Sequence, residues 1–144
     1  MRSRPSKLFL LAGPILALVL AACSGSVSTA HIGSLQIGSS KDFTTETTTF
    51  GPQDVVYAKA TGSNLPNPIT LKAQVVAEAV TGEASNAPIP QLDQSFDLAS
   101  DGTVTLTYTP PAAGWPTGTY KIVVTMMDGA TQRDQKSEEF KVAG

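Results

Sequence analysis

The sequence predicts an all-β domain, an antiparallel sandwich of about seven short strands, placed behind a cleaved N-terminal segment. Three observations carry this. From residue 35 onward apolar side chains recur at every second position, the period of a half-buried strand rather than of a helix. Clusters of Gly, Pro, Asn and Asp separate the runs, as turns between strands require. No sustained heptad and no alignable repeat competes with that pattern.

The N-terminus comes first in the chain and obeys different rules. Arg2, Arg4 and Lys7 form a basic patch, and every residue from Leu8 to Leu20 is apolar, Gly or Pro. Two small residues and a cysteine follow, Ala21-Ala22-Cys23, and then Ser24-Gly25-Ser26. This is the layout of a secretory signal peptide. A spanning helix needs about 20 apolar residues, and this shorter run is interrupted by Gly13 and Pro14.

The tetrad Leu20-Ala21-Ala22-Cys23 resembles the lipobox of bacterial lipoproteins. The resemblance implies lipid on the Cys23 thiol, recognition of Leu20, Ala21 and Ala22 by the signal peptidase, and cleavage just before Cys23. It also implies acylation, as by palmitate, of the new amino terminus. The expected location is the bacterial cell envelope, on the extracytoplasmic side of a membrane held through Cys23. Each buried CH₂ contributes about 0.8 kcal/mol, and two or more acyl chains hold stably where one does not.

Removing residues 1–22 leaves 122 residues, which fits one domain after the anchor. Residues 23–34 read as a flexible tether rich in Ser, Gly, Thr and Ala, and 35–144 as the sandwich. Loss of Arg2, Arg4 and Lys7 leaves seven Lys/Arg against twelve Asp/Glu, a charge near −5. An acidic chain without a Lys/Arg cluster lacks the footprint of a nucleic-acid binder. Cys23 is the single cysteine, so the domain holds together without an internal disulfide. His31 is the single histidine and falls in the tether, away from any nucleophile a Ser-His-Asp arrangement would use.

The strands follow in order. Leu35 and Ile37 mark a short first one, and residues 54–61 (DVVYAKAT) a second. Residues 69–77 put Ile69, Leu71, Ala73 and Val75 on one face, against Thr70, Lys72 and Gln74. Residues 94–99 carry Phe96 and Leu98, and 103–109 (TVTLTYT) set Val104, Leu106 and Tyr108 against a threonine face. Residues 119–127 align Tyr120, Ile122, Val124 and Met126, and 138–142 add Phe140 and Val142.

Two turns can be read more finely. A two-residue loop at Asp101-Gly102 would set Leu98 and Phe96 against the threonine face, since a slip of one residue flips every side chain. A three-residue loop, Ser100-Asp101-Gly102 with Gly102 left-handed, pairs Leu98 with Val104 and Phe96 with Leu106, and is the preferred register. For the last hairpin, a strict two-residue turn at Asp128-Gly129 would put Phe140 and Val142 on the wrong face. A longer loop through 128–132, or a bulge, is expected there.

The segment 103–124, TVTLTYTPPAAGWPTGTYKIVV, resembles the E-strand, corner and F-strand of immunoglobulin-like and fibronectin type III-like sandwiches. In that family a Tyr near the start of strand F bonds back across the corner, and Tyr120 occupies the matching place. The cysteine pair and the third-strand tryptophan of antibody domains are missing. The resemblance implies an Ig-like architecture and no particular activity.

Candidate sites are few. Trp115, on a loop between Gly114 and Pro116, is the possible ligand contact, as a sugar-stacking platform with Tyr57 or Tyr108 or as a cap on the core. Asp93, Asp97 and Asp101 recur every four residues, but a calcium site needs six to eight converging oxygens, so solvated acids are expected and no metal. Glu138 and Glu139 are adjacent in a strand and point to opposite faces, which suits a solubilising edge and no acid/base pair. The threonine-rich segments 44–49 and 103–109 suit ice, sugar or partner contact, or simply an exposed strand face. No phosphate loop, HExxH or CxxC is present, so no cofactor and no catalytic residue is expected. The expected function is a non-enzymatic, lipid-anchored Ig-like module that binds or assists a protein partner. The alternative is a lipoprotein that binds carbohydrate or cell wall through exposed aromatics.

Overall fold

A computed structural model describes residues 29–144; Cys23 and the Leu20-Ala21-Ala22 residues before it lie outside them. Nine strands are formed: β1 (His31–Gly38), β2 (Thr49–Phe50), β3 (Val56–Ser63), β4 (Ile69–Val80), β5 (Ala87–Pro88), β6 (Gln94–Leu98), β7 (Gly102–Tyr108), β8 (Gly118–Asp128) and β9 (Thr131–Val142). A single 3-10 turn, Pro90–Leu92, joins β5 to β6, and the described chain has no α-helix. Two sheets result. The smaller runs β1-β3-β7; the larger runs β2-β9-β8-β4, with β5 and β6 both on the far edge of β4. All pairings are antiparallel except β2 with β9, which is parallel.

The alternation read from the sequence becomes the core between the sheets. Ala58 and Ala60 of β3 and Leu106 and Tyr108 of β7 face Leu71, Ala73 and Val75 of β4 and Ile122, Val124 and Met126 of β8. Each fully buried Leu, Ile or Val contributes about 1.5–3 kcal/mol relative to exposure. Thr103, Thr105 and Thr107 lie on the exposed outer face, as the period of two requires.

Three boundaries and partners differ from expectation. The first strand starts at His31, inside the stretch that reads as tether, and Ala30 and Ile32 are already buried. A register shift between Ile32 and Ser34 breaks the period there, which hides the strand from a pattern search. The second difference is larger. β6 and β7 do not form a hairpin: β6 pairs with β4, Ile69 opposite Leu98 and Leu71 opposite Phe96, while β7 pairs with β3. The loop between them crosses from one sheet to the other. Alternation fixes which face is apolar and is silent on which strand is the neighbour. The third difference follows: Gly102 has no positive φ. The crossing is held instead by Asp101, whose carboxylate accepts the backbone N–H groups of Asn64 at 3.0 Å and Leu65 at 2.8 Å. These bonds hold the Asp101 carboxyl below its ordinary range, the Leu65 bond foremost.

The last hairpin takes the bulged solution. Asp128 pairs with Thr131 across a tight turn, and between Met126 and Met127 the register shifts by one. Arg133 is the extra residue, and its guanidinium bonds Asp128 Oδ2 at 2.8 Å. Beyond the bulge, Tyr120 stands opposite Phe140 and both are buried.

Candidate functional site

An open, largely apolar groove of about 540 Å³ lies at one end of the sandwich. One wall comes from the stretch between β4 and β6, with Ile89, Pro90 and Leu92; the other comes from the β7–β8 connection, with Pro111, Trp115 and Pro116. Glu83 supplies a carboxylate at its margin and Tyr120 forms part of its floor.

Local rules build each wall. Pro88 and Pro90 prevent a long continuous strand after β5. Pro90 opens the 3-10 turn, where its missing N–H is no loss. Ile89 N–H donates to the Val75 carbonyl at 2.8 Å, which pins this wall to β4. The opposite wall is held by backbone and ring together. Gly114 adopts φ +83°, and a Cβ there would lie 2.9 Å from the Pro52 carbonyl oxygen. That close approach lets Trp115 N–H donate to Pro52 O at 2.7 Å, while the indole Nε1 donates to Asp54 O at 2.9 Å.

Trp115 is only 4% exposed. Its ring packs edge-wise on Tyr120 and Phe140, with centroids 5.8 and 6.4 Å away. It closes the core at this end and shows the groove little more than an edge. A sugar platform needs an open ring face, so the stacking alternative loses its principal residue. Tyr108 is buried as well, and Tyr57 is half-buried on the outer face of β3. Tyr120 Oη donates to the Pro116 carbonyl at 2.7 Å, four residues back across the corner, which is the bond its position implied. Burial pushes its phenol up, with Glu83 adding to the effect.

The remaining candidates are dispersed. Asp97 accepts from Thr70 Oγ1 at 2.7 Å on the outer face of the larger sheet, and Asp101 serves the sheet crossing. Glu138 and Glu139 take opposite sides of β9. Glu139 stands opposite Lys121, which bonds Glu78 at 2.6 Å; the Lys121 bond lowers Glu78, and the neighbouring Glu78 carboxylate raises Glu139. His31 belongs to the domain after all, because β1 starts at that residue. It pairs with Ser63 and lends a minor lowering effect to Asp101, yet its Nδ1 bonds Thr29 O at 2.8 Å. Asp101 meanwhile is committed to the amides of residues 64 and 65, so the three side chains do not form a relay.

The groove itself is not foreseen from the sequence. Its signal is the run Ala87-Pro88-Ile89-Pro90, which interrupts the alternation between two clear strands. No known family model matches this chain, and no curated protein matches it either.

Proposed function

We propose that this chain is a lipid-anchored, non-enzymatic module of the bacterial cell envelope that engages a protein partner on the extracytoplasmic side. The observation that carries the reading is the tetrad Leu20-Ala21-Ala22-Cys23 at the end of an apolar run, followed within a few residues by a β-domain. The geometry is compatible with tethering. The described chain enters β1 at the pole where His31 pairs with Ser63, and the groove beside Trp115 lies at the other pole. Those poles are separated by the length of β7, about 20 Å at ~3.3 Å per residue. Cys23 precedes Thr29 by six residues, a reach of at most about 21 Å. A lipid on Cys23 would hold the entry pole near the membrane surface.

The architecture proposed is Ig-like in the fibronectin type III sense. Its support is the strand order β1-β3-β7 against β9-β8-β4-β6, together with the Tyr120–Pro116 bond at the corner. The test of the anchor is metabolic labelling with a fatty acid in cells making the wild type or Cys23→Ala. Label on the wild type and none on the variant, with the variant precursor uncut at this site, is expected. Equal label on both would overturn the lipoprotein reading. Crosslinking in cells, followed by identification of the captured protein, then tests the partner.

A further inference from the structure

We infer that β7 is a self-association edge, through which two copies of this chain pair antiparallel about a two-fold axis at Thr105. The sheets present four edges, and three are guarded. At β1, Ile32 N–H is taken by Asp134 Oδ2 at 2.7 Å, Ile32 O by Lys136 Nζ at 3.1 Å, and Ile37 O by Thr47 N–H at 3.2 Å. β9 carries Arg133, Lys136, Glu138 and Glu139 along its length and is met by β2 at its end. The far edge of β4 is covered by β5 and β6, with Pro88 and Asp97 among their residues. Charge, proline and bulges are the usual protections of an edge. From Thr103 to Tyr108, β7 has none of them.

The free backbone groups fix the register. Gln94 Nε2, from outside the smaller sheet, donates to Thr107 O at 3.1 Å, so the Thr107 carbonyl points away from β3. Outward and inward groups alternate along an antiparallel strand. Thr103 and Thr105 therefore also turn N–H and C=O to the open side, while Val104, Leu106 and Tyr108 bond to β3. A second β7 centred on Thr105 meets this pattern without a gap. Thr105 faces its own copy, and Thr103 faces Thr107 of that copy, each as a doubly hydrogen-bonded pair. Displacing the single Gln94 bond frees the last acceptor. On the outer face threonine meets threonine, and on the inner face Val104 meets Leu106. No charged side chain opposes its like, because the run carries no charge.

The membrane tether favours the same occupant. A two-fold axis normal to the sheet places both chain entries at equal height when the joined sheet lies along a surface, so both anchors reach one membrane. Confinement to that surface raises the effective concentration of one copy for another, which a short edge contact needs. The pairing itself does not require the lipid, so its test separates from that of the anchor.

The test is thiol crosslinking of the full chain in cell membranes, and of the purified protein at high concentration, with a reagent spanning less than about 10 Å. Thr105→Cys alone should give a crosslinked dimer, since directly opposed residues lie about 5 Å apart. Thr103→Cys alone and Thr107→Cys alone should give none, because like residues are then about 14 Å apart along the strand. Thr103→Cys expressed together with Thr107→Cys should restore the dimer. Thr105→Lys in the otherwise unaltered chain should abolish association, and mixing it with Thr105→Glu should restore it. Absence of a Thr105→Cys dimer in both preparations would overturn the proposal, including the case in which another protein holds the edge. A Thr103→Cys dimer as strong as that of Thr105→Cys would overturn it equally, by showing random collision.

Discussion

Tyr120 and Phe140 lie face to face across β8 and β9, their ring centroids 5.0 Å apart and their planes within 7° of parallel. They meet because a bulge at Arg133 takes up one residue more than the turn needs. Were Arg133 paired in regular register instead, the Asp128–Thr131 turn would carry Phe140 and Val142 to the outer face. Deleting Arg133 moves every later residue up by one, so a regular hairpin still sets Phe140 opposite Tyr120. The cost should stay well below the roughly 3–6 kcal/mol of burying both side chains. Arg133→Ala keeps the register and removes only an ion pair whose side chains are 33% and 26% exposed, a change of at most about 1 kcal/mol. Denaturant melts of the two variants should therefore have similar midpoints. A deletion midpoint far below that of Arg133→Ala would show that β9 depends on the bulge itself.

Tyr120 and Tyr108 are both about 1% exposed, yet their hydroxyls differ. Tyr120 Oη has the Pro116 carbonyl, while Tyr108 Oη has no hydrogen-bond partner among the described residues. Tyr120→Phe should cost about 1 kcal/mol, the net value of a buried hydrogen bond. Tyr108→Phe should range from no change to a gain of about 1 kcal/mol, because it removes a buried polar group that gains nothing from its site. A drop in midpoint for Tyr108→Phe would reveal a partner for that hydroxyl.

The same two phenols contribute an alkaline limb to stability. Burial raises both above the ordinary 10.0, with Asp93 contributing at Tyr108 and Glu83 at Tyr120. Between that value and the higher folded ones, the unfolded chain has released protons that the folded chain still holds. Stability is then full below pH 10 and falls as pH rises further. Tyr108→Phe should flatten this fall, read as unfolding midpoint against pH. An unchanged slope would place the alkaline loss elsewhere.

Seven of the nine strands are legible in the sequence at least in part, because their apolar side chains repeat at a period of two, as from Ile69 to Val75 and from Tyr120 to Met126. Residues 31–34 at the start of β1 and residues 131–137 of β9 carry no such period. The bulge in the last hairpin is legible as well, because faces must match. What escapes is information that alternation does not carry. Leu98 satisfies the core equally from beside Val104 or from beside Ile69, and only the three-dimensional crossing at Asp101 decides between them. β2 and β5, of two residues each, are too short for any period. The groove wall at Pro88–Leu92 is assembled by backbone bonds such as Ile89 to Val75, which no side-chain pattern announces. Trp115 is legible as a distinctive residue, but its burial depends on Pro52 and Asp54, some sixty positions away.

Asp101 gives an acid-side prediction of opposite sign to the tyrosines. Its carboxylate is held below its ordinary 3.8 by the N–H groups of Leu65 and Asn64. The stabilisation is present above the unfolded value and is lost as pH falls through the lower folded one. Asp101→Asn should lower the thermal midpoint near neutral pH and make the acid limb shallower. If the variant and the wild type melt together at every pH, the carboxylate does not hold the crossing.

Two glycines should respond in opposite ways to gaining a side chain. Gly118 begins β8 at φ +152°, where a Cβ would clash with the Ala79 carbonyl oxygen and stand 2.6 Å from Val80 Cα. Those atoms are backbone in a neighbouring strand, beside the register shift between Ala77 and Ala79, and have no room to retreat. Gly118→Ala should therefore cost at least about 3 kcal/mol, the upper range of local backbone strain. A left-handed turn at Gly102, the register that alternation favours, would make that glycine the sensitive one. Its φ is ordinary, and the nearest atom to an added Cβ would be Leu98 Cδ2 at 3.6 Å, a normal van der Waals contact. Gly102→Ala should change stability by less than about 1 kcal/mol, and Gly102→Val should be tolerated because an extended backbone suits a β-branched residue. Denaturant midpoints rank the three variants directly. A Gly102→Val midpoint as low as that of Gly118→Ala would restore the left-handed turn and place β6 beside β7 after all.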